Sequence, residues 1–174
     1  MGCEAVGSPQ IRNVGTIAGN IVNAQPAADA AIPLVALDAV VTKVSKSGHA
    51  EVPILDLYEG VGKSKVNNTL EIIESIKFKC LDINKGETST FIRLSPRNAL
   101  ALPIVNIAIA VGLVDEKFSW IRVSIGPVSS MPFRPYHLEE QLKNFACNEV
   151  NIAEFAEAVG EVVQPRDSAI RGSS

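Results

Sequence analysis

The segment Gly7-Ser-Pro-Gln-Ile-Arg12-Asn-Val-Gly15-Thr-Ile-Ala-Gly19-Asn20 is the stretch whose residue types and spacing could do chemistry. Gly15 and Gly19 let a backbone turn its amides toward one point, which is how anion-binding nests are built. Thr16 and Asn20 can add hydroxyl and amide hydrogen bonds, and Arg12 a cation. A pyrophosphate can be held this way without a broad basic surface. The spacing is not G-x-G-x-x-G, nor a P-loop, because no Gly-Lys-Ser/Thr follows. A second origin stays open: a tight connection whose Asn and Thr side chains merely satisfy their own backbone. Turn-rich segments of that kind are commonplace.

Other chemistries find less support. Cys3, Cys80 and Cys147 stand far apart, with no C-x-x-C pair, and His49 and His137 are isolated. A zinc or iron–sulfur site needs several thiolates or imidazoles converging, so no metal ligand is expected. The cysteines read as thiols in a reducing cytosol. Lys and Arg number 16 against 19 Asp and Glu, a net charge of −3, which is the wrong sign for a nucleic-acid surface. The start, Met1-Gly2-Cys3, lacks the Ser or Thr at position 6 that myristoylation wants, having Val6. The weakly charged run from Ala99 to Val114 is too short to span a bilayer and carries Pro103, Asn106 and Gly112. With no signal peptide evident, the expectation is a cytoplasmic protein without a membrane partner.

The elements that must position the glycine-bearing segment can be read from periodicity. Gly7 to Asn23 reads as loop and turn. Pro26 to Leu37 reads as a short apolar helix that Asp29 can cap. Ala39 to Ser45 and Glu51 to Ile54 form a hairpin, Leu55 to Val61 a short helix, and Leu70 to Cys80 an isoleucine-rich strand. Asp82 to Thr88 is a polar linker, and the domain boundary falls there, giving domains over 1–86 and 87–174. Beyond it, Thr90 to Leu94 is a strand. From Ile104 to Val114, large residues (Val105, Ile107, Ile109, Val111, Leu113) alternate with small ones (Asn106, Ala108, Ala110, Gly112). That pattern suits a strand covered on both sides, its small face admitting a close-packed helix. Phe118 to Ile125 returns as its hairpin partner. A proline-rich loop over 126–135 leads to a helix from Leu138 to Phe145. A second helix starts at Asn151, with Glu154 as capping-box partner. Strands grouped before helices indicate an α+β fold rather than a doubly wound parallel sheet.

The segment Gly7 to Ile21, continued by Ala24-Gln-Pro-Ala-Ala-Asp29, resembles the flavin loop of the molybdenum hydroxylases, the xanthine dehydrogenase family. The similarity continues through Leu37-Asp-Ala, Tyr58-Glu-Gly-Val-Gly-Lys63, Leu70-Glu-Ile-Ile and Arg93-Leu-Ser-Pro-Arg-Asn98. It then runs through Val105-Asn-Ile-Ala108 and Arg122-Val-Ser-Ile-Gly-Pro127, covering nearly the whole chain in order. It implies the middle α/β subdomain of an FAD-binding domain, then a C-terminal domain with a three-stranded antiparallel sheet and helices. By this resemblance Thr16, Ile17, Gly19 and Asn20 lie at the diphosphate and ribityl region of FAD. Asp29 accepts from a polar group of the cofactor, and the main chain near Ile72 and Ile73 meets the flavin ring or its surroundings. Arg93 stands near the flavin, where it can stabilise the negative charge of the reduced ring. Taken alone, Arg93 reads equally as a solvated strand end.

The resemblance further implies an oxidoreductase component. Its partners are a molybdopterin-binding large subunit and a 2Fe–2S subunit, which pass electrons through FAD to NAD or another acceptor. No catalytic acid, base or nucleophile is expected in this chain. Two departures stand out. Ala18 replaces the family's usual glycine, where a Cβ can crowd the phosphates or require negative φ. The family's N-terminal subdomain, with its own glycine-rich loop, has no counterpart in these residues, and the family's final helix also falls outside them. Weak or absent FAD retention by the chain alone is therefore expected, with the isolated chain inactive. The alternative reading is a truncated, non-catalytic assembly module that no longer binds FAD.

Overall fold

A computed structural model describes residues 2–97 and 101–163. Two short helices occupy the segment expected to be loop: α1 (Pro9–Val14) and α2 (Ile17–Val22). Local side chains make them. The Ser8 hydroxyl accepts from the Ile11 amide with Pro9 at the first helical position, and the Thr16 hydroxyl accepts from the Gly19 amide. Gly15 between them is extended and Gly19 lies inside α2, so the two glycines do not form a nest.

Helix α3 (Ala31–Ala36) follows, starting at Ala30 without a side-chain cap. The expected cap, Asp29, is turned elsewhere because its carboxylate is hydrogen-bonded to Arg93 and Asn106. The hairpin is as expected: β1 (Val40–Ser45) pairs antiparallel with β2 (Gly48–Pro53), and β1 also pairs with β5 (Glu71–Lys77). In place of a helix over 55–61, a single 3-10 turn at Ile54–Leu57 leads into β3 (Tyr58–Gly60). That strand folds back on β4 (Lys63–Ser64), with Gly62 at φ 67 making the reversal. A first core, including Ile21, Val35, Val41, Ile54, Leu57 and Tyr58, joins α2, α3 and this sheet.

The polar linker carries a 3-10 turn, Ile83–Lys85, closed by Gly86 at φ 71. The Glu87 carboxylate clasps it, accepting from Lys79 Nζ at 2.9 Å and from the Asp82 amide at 3.0 Å. A second three-stranded antiparallel sheet is then built in the order β6 (Glu87–Leu94), β7 (Val105–Val114), β8 (Lys117–Gly126). The expected α+β class and three-stranded sheet are borne out.

The two faces of β7 go to different partners. Its large side chains join Phe118, Ile121, Val123 and Ile125 under the C-terminal helices. Its small face, with Asn106, Ala108, Ala110 and Gly112 all buried, receives α3, and Ile32 and Ala36 pack on Ala108. Helix α3 thus belongs to two cores at once, which the size alternation anticipated without naming the helix.

Both C-terminal helices shift from their expected limits. Helix α4 is Tyr136–Gln141, earlier and shorter than Leu138 to Phe145. Helix α5 is Glu149–Val162, and its cap is Asn148, whose side chain accepts from the Asn151 amide. The Asn148 carboxamide reaches that free N–H three residues on, so Asn151 lies inside the first turn rather than before it. Among the described residues no helix is long and apolar enough to cross a membrane.

Candidate cofactor site

An open cleft of about 690 Å³ runs along α1 and α2, lined by Arg12, Thr16, Ile17, Gly19, Asn20 and Ala30 among others. Its size lies within the range of small-molecule and cofactor sites, roughly 300–1,000 Å³. Thr16 and Ile17 are exposed, and Ile17 offers an apolar wall. Gly19 is placed tightly, since a Cβ there would lie 3.0 Å from the Thr16 hydroxyl. The Asn20 carboxamide oxygen is buried and has no hydrogen-bond partner among the described residues. A buried acceptor left without a donor is costly, and the described residues supply no donor for this one.

Arg12 is less free than its charge suggests. Its guanidinium donates to the Val6 carbonyl at 3.0 Å and the Gly7 carbonyl at 3.4 Å, bracing its own loop at the cleft edge. Ala18 lies within helical α2 and is not among the residues with positive φ. The backbone that its methyl group requires is therefore the one present.

Asp29 and Arg93 meet each other instead of facing the α2 residues. Arg93 Nε donates to Asp29 Oδ1 at 3.1 Å, and Asn106 Nδ2 donates to the same oxygen at 2.9 Å. The guanidinium also donates to Ser95 Oγ at 3.1 Å and to the Ala101 carbonyl. These groups are mostly withdrawn from water: the side chains of Asp29 and Arg93 are 8% and 14% exposed. Burial raises the Asp29 pKa above the ordinary carboxylate value, and the Asn106 and Arg93 contacts offset only part of that. Arg93 is therefore not a solvated strand end.

The residues singled out from sequence thus fall in three places. Thr16, Ile17, Gly19 and Asn20 line the cleft. Asp29 and Arg93 link the α2–α3 connection to β6, and Ala30, next to Asp29, carries the cleft wall toward them. Ile73 lies on β5 opposite Lys43 and packs against the first core, while neighbouring Ile72 is largely exposed. Sequence reasoning missed Asn106 as a site residue, taking it as an interruption of an apolar run and as a small residue of the strand; an amide in an otherwise apolar strand was the available signal. Among the described residues no three His, Cys, Asp or Glu side chains are grouped to hold a metal ion.

Comparison with known proteins bears on this geometry directly. Residues 2–78 match the family model for the FAD binding domain in molybdopterin dehydrogenase, and residues 90–174 match the CO dehydrogenase flavoprotein C-terminal domain. The chain is 32% identical over 171 residues to the glyceraldehyde dehydrogenase medium chain of Sulfolobus acidocaldarius, covering 98% of this chain and 59% of that one. It is 30% identical over 165 residues to the xanthine dehydrogenase FAD-binding subunit of Escherichia coli O157:H7, covering 95% and 56%. The fold matches carbon monoxide dehydrogenase from Hydrogenophaga pseudoflava with a TM-score of 0.88 at 20% identity, over 98% of this chain and 57% of that one. The chain thus spans somewhat over half the length of these proteins. On these matches, the chain belongs to the family of FAD-binding flavoprotein subunits of the molybdenum hydroxylases, whose cofactor is FAD.

Proposed function

We propose that this chain holds FAD along the α1–α2 cleft and serves as the flavin component of a molybdenum hydroxylase. In the assembled enzyme it would stand between a 2Fe–2S subunit, a molybdopterin-binding large subunit and an electron acceptor such as NAD. The observation that carries the reading is the buried, unpartnered Asn20 oxygen in a cleft of cofactor size. Thr16, Ile17, Gly19 and Asn20 are the residues that would hold the diphosphate and ribityl region. The Thr16 hydroxyl already accepts from Gly19, which leaves its own proton free to donate. Asp29 would accept from a cofactor hydroxyl or amine. Arg93, fixed by Asp29, Ser95 and Ala101, would supply a stationary positive charge, and the backbone at Ile73 would border the ring. When bound, FAD supplies the redox chemistry; the chain's part is to bind, orient and bias it electrostatically.

Titration of the purified chain with FAD, followed by quenching of flavin fluorescence, tests this. Saturable one-to-one binding that weakens in Asn20→Ala supports the cleft as the site. Absence of binding at any FAD concentration would return the assembly-module reading. Co-purification with the adjoining subunits, with and without FAD, tests the partners separately.

A further inference from the structure

Asn106 is fully buried on the small face of β7, where its neighbours on that face are Ala108, Ala110 and Gly112. A packing role there is met by any apolar side chain of similar size. The amide instead brings a cost, because its oxygen has no hydrogen-bond partner among the described residues. That oxygen rests against Gly126, close enough that a Cβ on the glycine would lie 2.8 Å away. What the amide supplies is its nitrogen. It donates to Asp29 Oδ1 at 2.9 Å and, more weakly, to the Ala27 carbonyl at 3.4 Å. Both acceptors belong to the connection between α2 and α3, which also holds Ala30 at the cleft wall. Arg93, from β6, donates to the same Asp29 oxygen. Two donors from the second sheet therefore converge on Oδ1, while Oδ2 accepts from none of the described residues. A local departure from apolar packing of this kind is expected where a protein serves a site rather than its core.

We propose that Asn106 is a positioning residue for the FAD site. Together with Arg93 it ties Asp29 Oδ1 to the second sheet and so turns Oδ2 toward a hydroxyl or amine donor of the cofactor. The second domain thereby sets the geometry of a carboxylate supplied by the first. This rests on the FAD reading above and adds to it a residue that does not itself touch the cofactor.

The test is FAD affinity of the full chain carrying Asn106→Leu, which removes the donor and the orphaned oxygen together while keeping the side chain's branching. Binding about tenfold weaker is expected, with the folded state retained by circular dichroism. The pH profile gives a readout that packing alone does not move. FAD affinity of the wild-type chain should fall as acid protonates Asp29, whose charged neighbour is Arg93. In Asn106→Leu that fall should begin at higher pH, because a bond favouring the carboxylate is gone. If Asn106→Leu does not fold, Asn106→Ala is read in the same way. A folded variant with wild-type affinity, or with an unmoved pH profile, overturns the proposal while leaving the FAD reading intact. A wild-type chain that binds no FAD overturns both.

Discussion

Gly126 lies so close to Pro26 that a Cβ on the glycine would stand 2.3 Å from the Pro26 carbonyl oxygen. The contact joins the end of β8 to the connection before α3, and Ile32 Cδ1 and Asn106 Oδ1 crowd the same point at 2.7 and 2.8 Å. It is an approach between two backbones that only a residue without a side chain permits.

Gly126→Ala should therefore strongly destabilise the protein. A backbone carbonyl cannot swing away as the tip of a side chain can, so the sheet and the α2–α3 connection must separate locally. Overpacking typically costs 1–3 kcal/mol, and a cost of about 3 kcal/mol or more is expected here. Urea unfolding measures it, and a change below about 0.5 kcal/mol refutes the contact.

Gly160→Ala should do the reverse. Gly160 lies in α5, and a Cβ there meets nothing within 4 Å. Replacing a helical glycine with alanine then stabilises by roughly 0.5–1 kcal/mol. The same urea experiment, with Gly126→Ala alongside, separates the effect of contact from the effect of backbone freedom.

Asp38 ties the far end of α3 to β8 and to the loop before α4. Its carboxylate receives Arg122 Nε at 2.6 Å and also Arg134, which in turn donates through Nε and Nη2 to the buried Glu139. Glu139 Oε1 also accepts from the Val123 amide at 2.8 Å. The exposures of the two carboxylate side chains decide their weights: 47% for Asp38 and 4% for Glu139. Asp38→Asn should cost about 1 kcal/mol or less, since solvent screens it and Asn tolerates its φ of 51. Glu139→Ala leaves the buried Arg134 guanidinium with Asp38 alone and a strand amide unpaired, and should cost about 3–5 kcal/mol. Equal effects of the two substitutions in thermal or urea unfolding would falsify this ordering.

These contacts also show where sequence reasoning reached and where it stopped. The alternation of Val105, Ile107 and Ile109 with Asn106, Ala108 and Ala110 revealed a strand covered on both faces, because period two is a local property. It could not reveal that α3 covers the small face, since residues 31–36 and 106–112 meet only in the fold. The α1 and α2 helices were missed for a different reason. Glycine and proline content suggested loop, while the deciding interactions were two hydroxyl caps, Ser8 to Ile11 and Thr16 to Gly19. Asp29 shows the limit most plainly. A carboxylate just before an apolar helix has the form of a cap, yet partners 64 and 77 residues away in sequence claim it.

Acid should weaken the fold through Glu71 and Glu87. Glu71 accepts from the Asn67 amide and Lys43, and Glu87 from Lys79 and the Asp82 amide; these bonds lower both pKa values below the ordinary 4.5. Each carboxylate binds its proton less readily in the folded chain than in the unfolded one. Its contribution is therefore fully present above about pH 4.5 and is lost as pH falls through the lowered native value. Asp29 acts in the opposite sense, because burial raises its native pKa: its protonation on acidification favours the folded chain. Asp29 thus offsets part of the loss that the two glutamates bring. Glu71→Gln and Glu87→Gln should each lower stability at pH 7 and flatten the decline between about pH 5 and pH 3. Urea midpoints measured across that range decide it; a decline as steep in the double variant as in the wild type assigns the acid sensitivity to other groups.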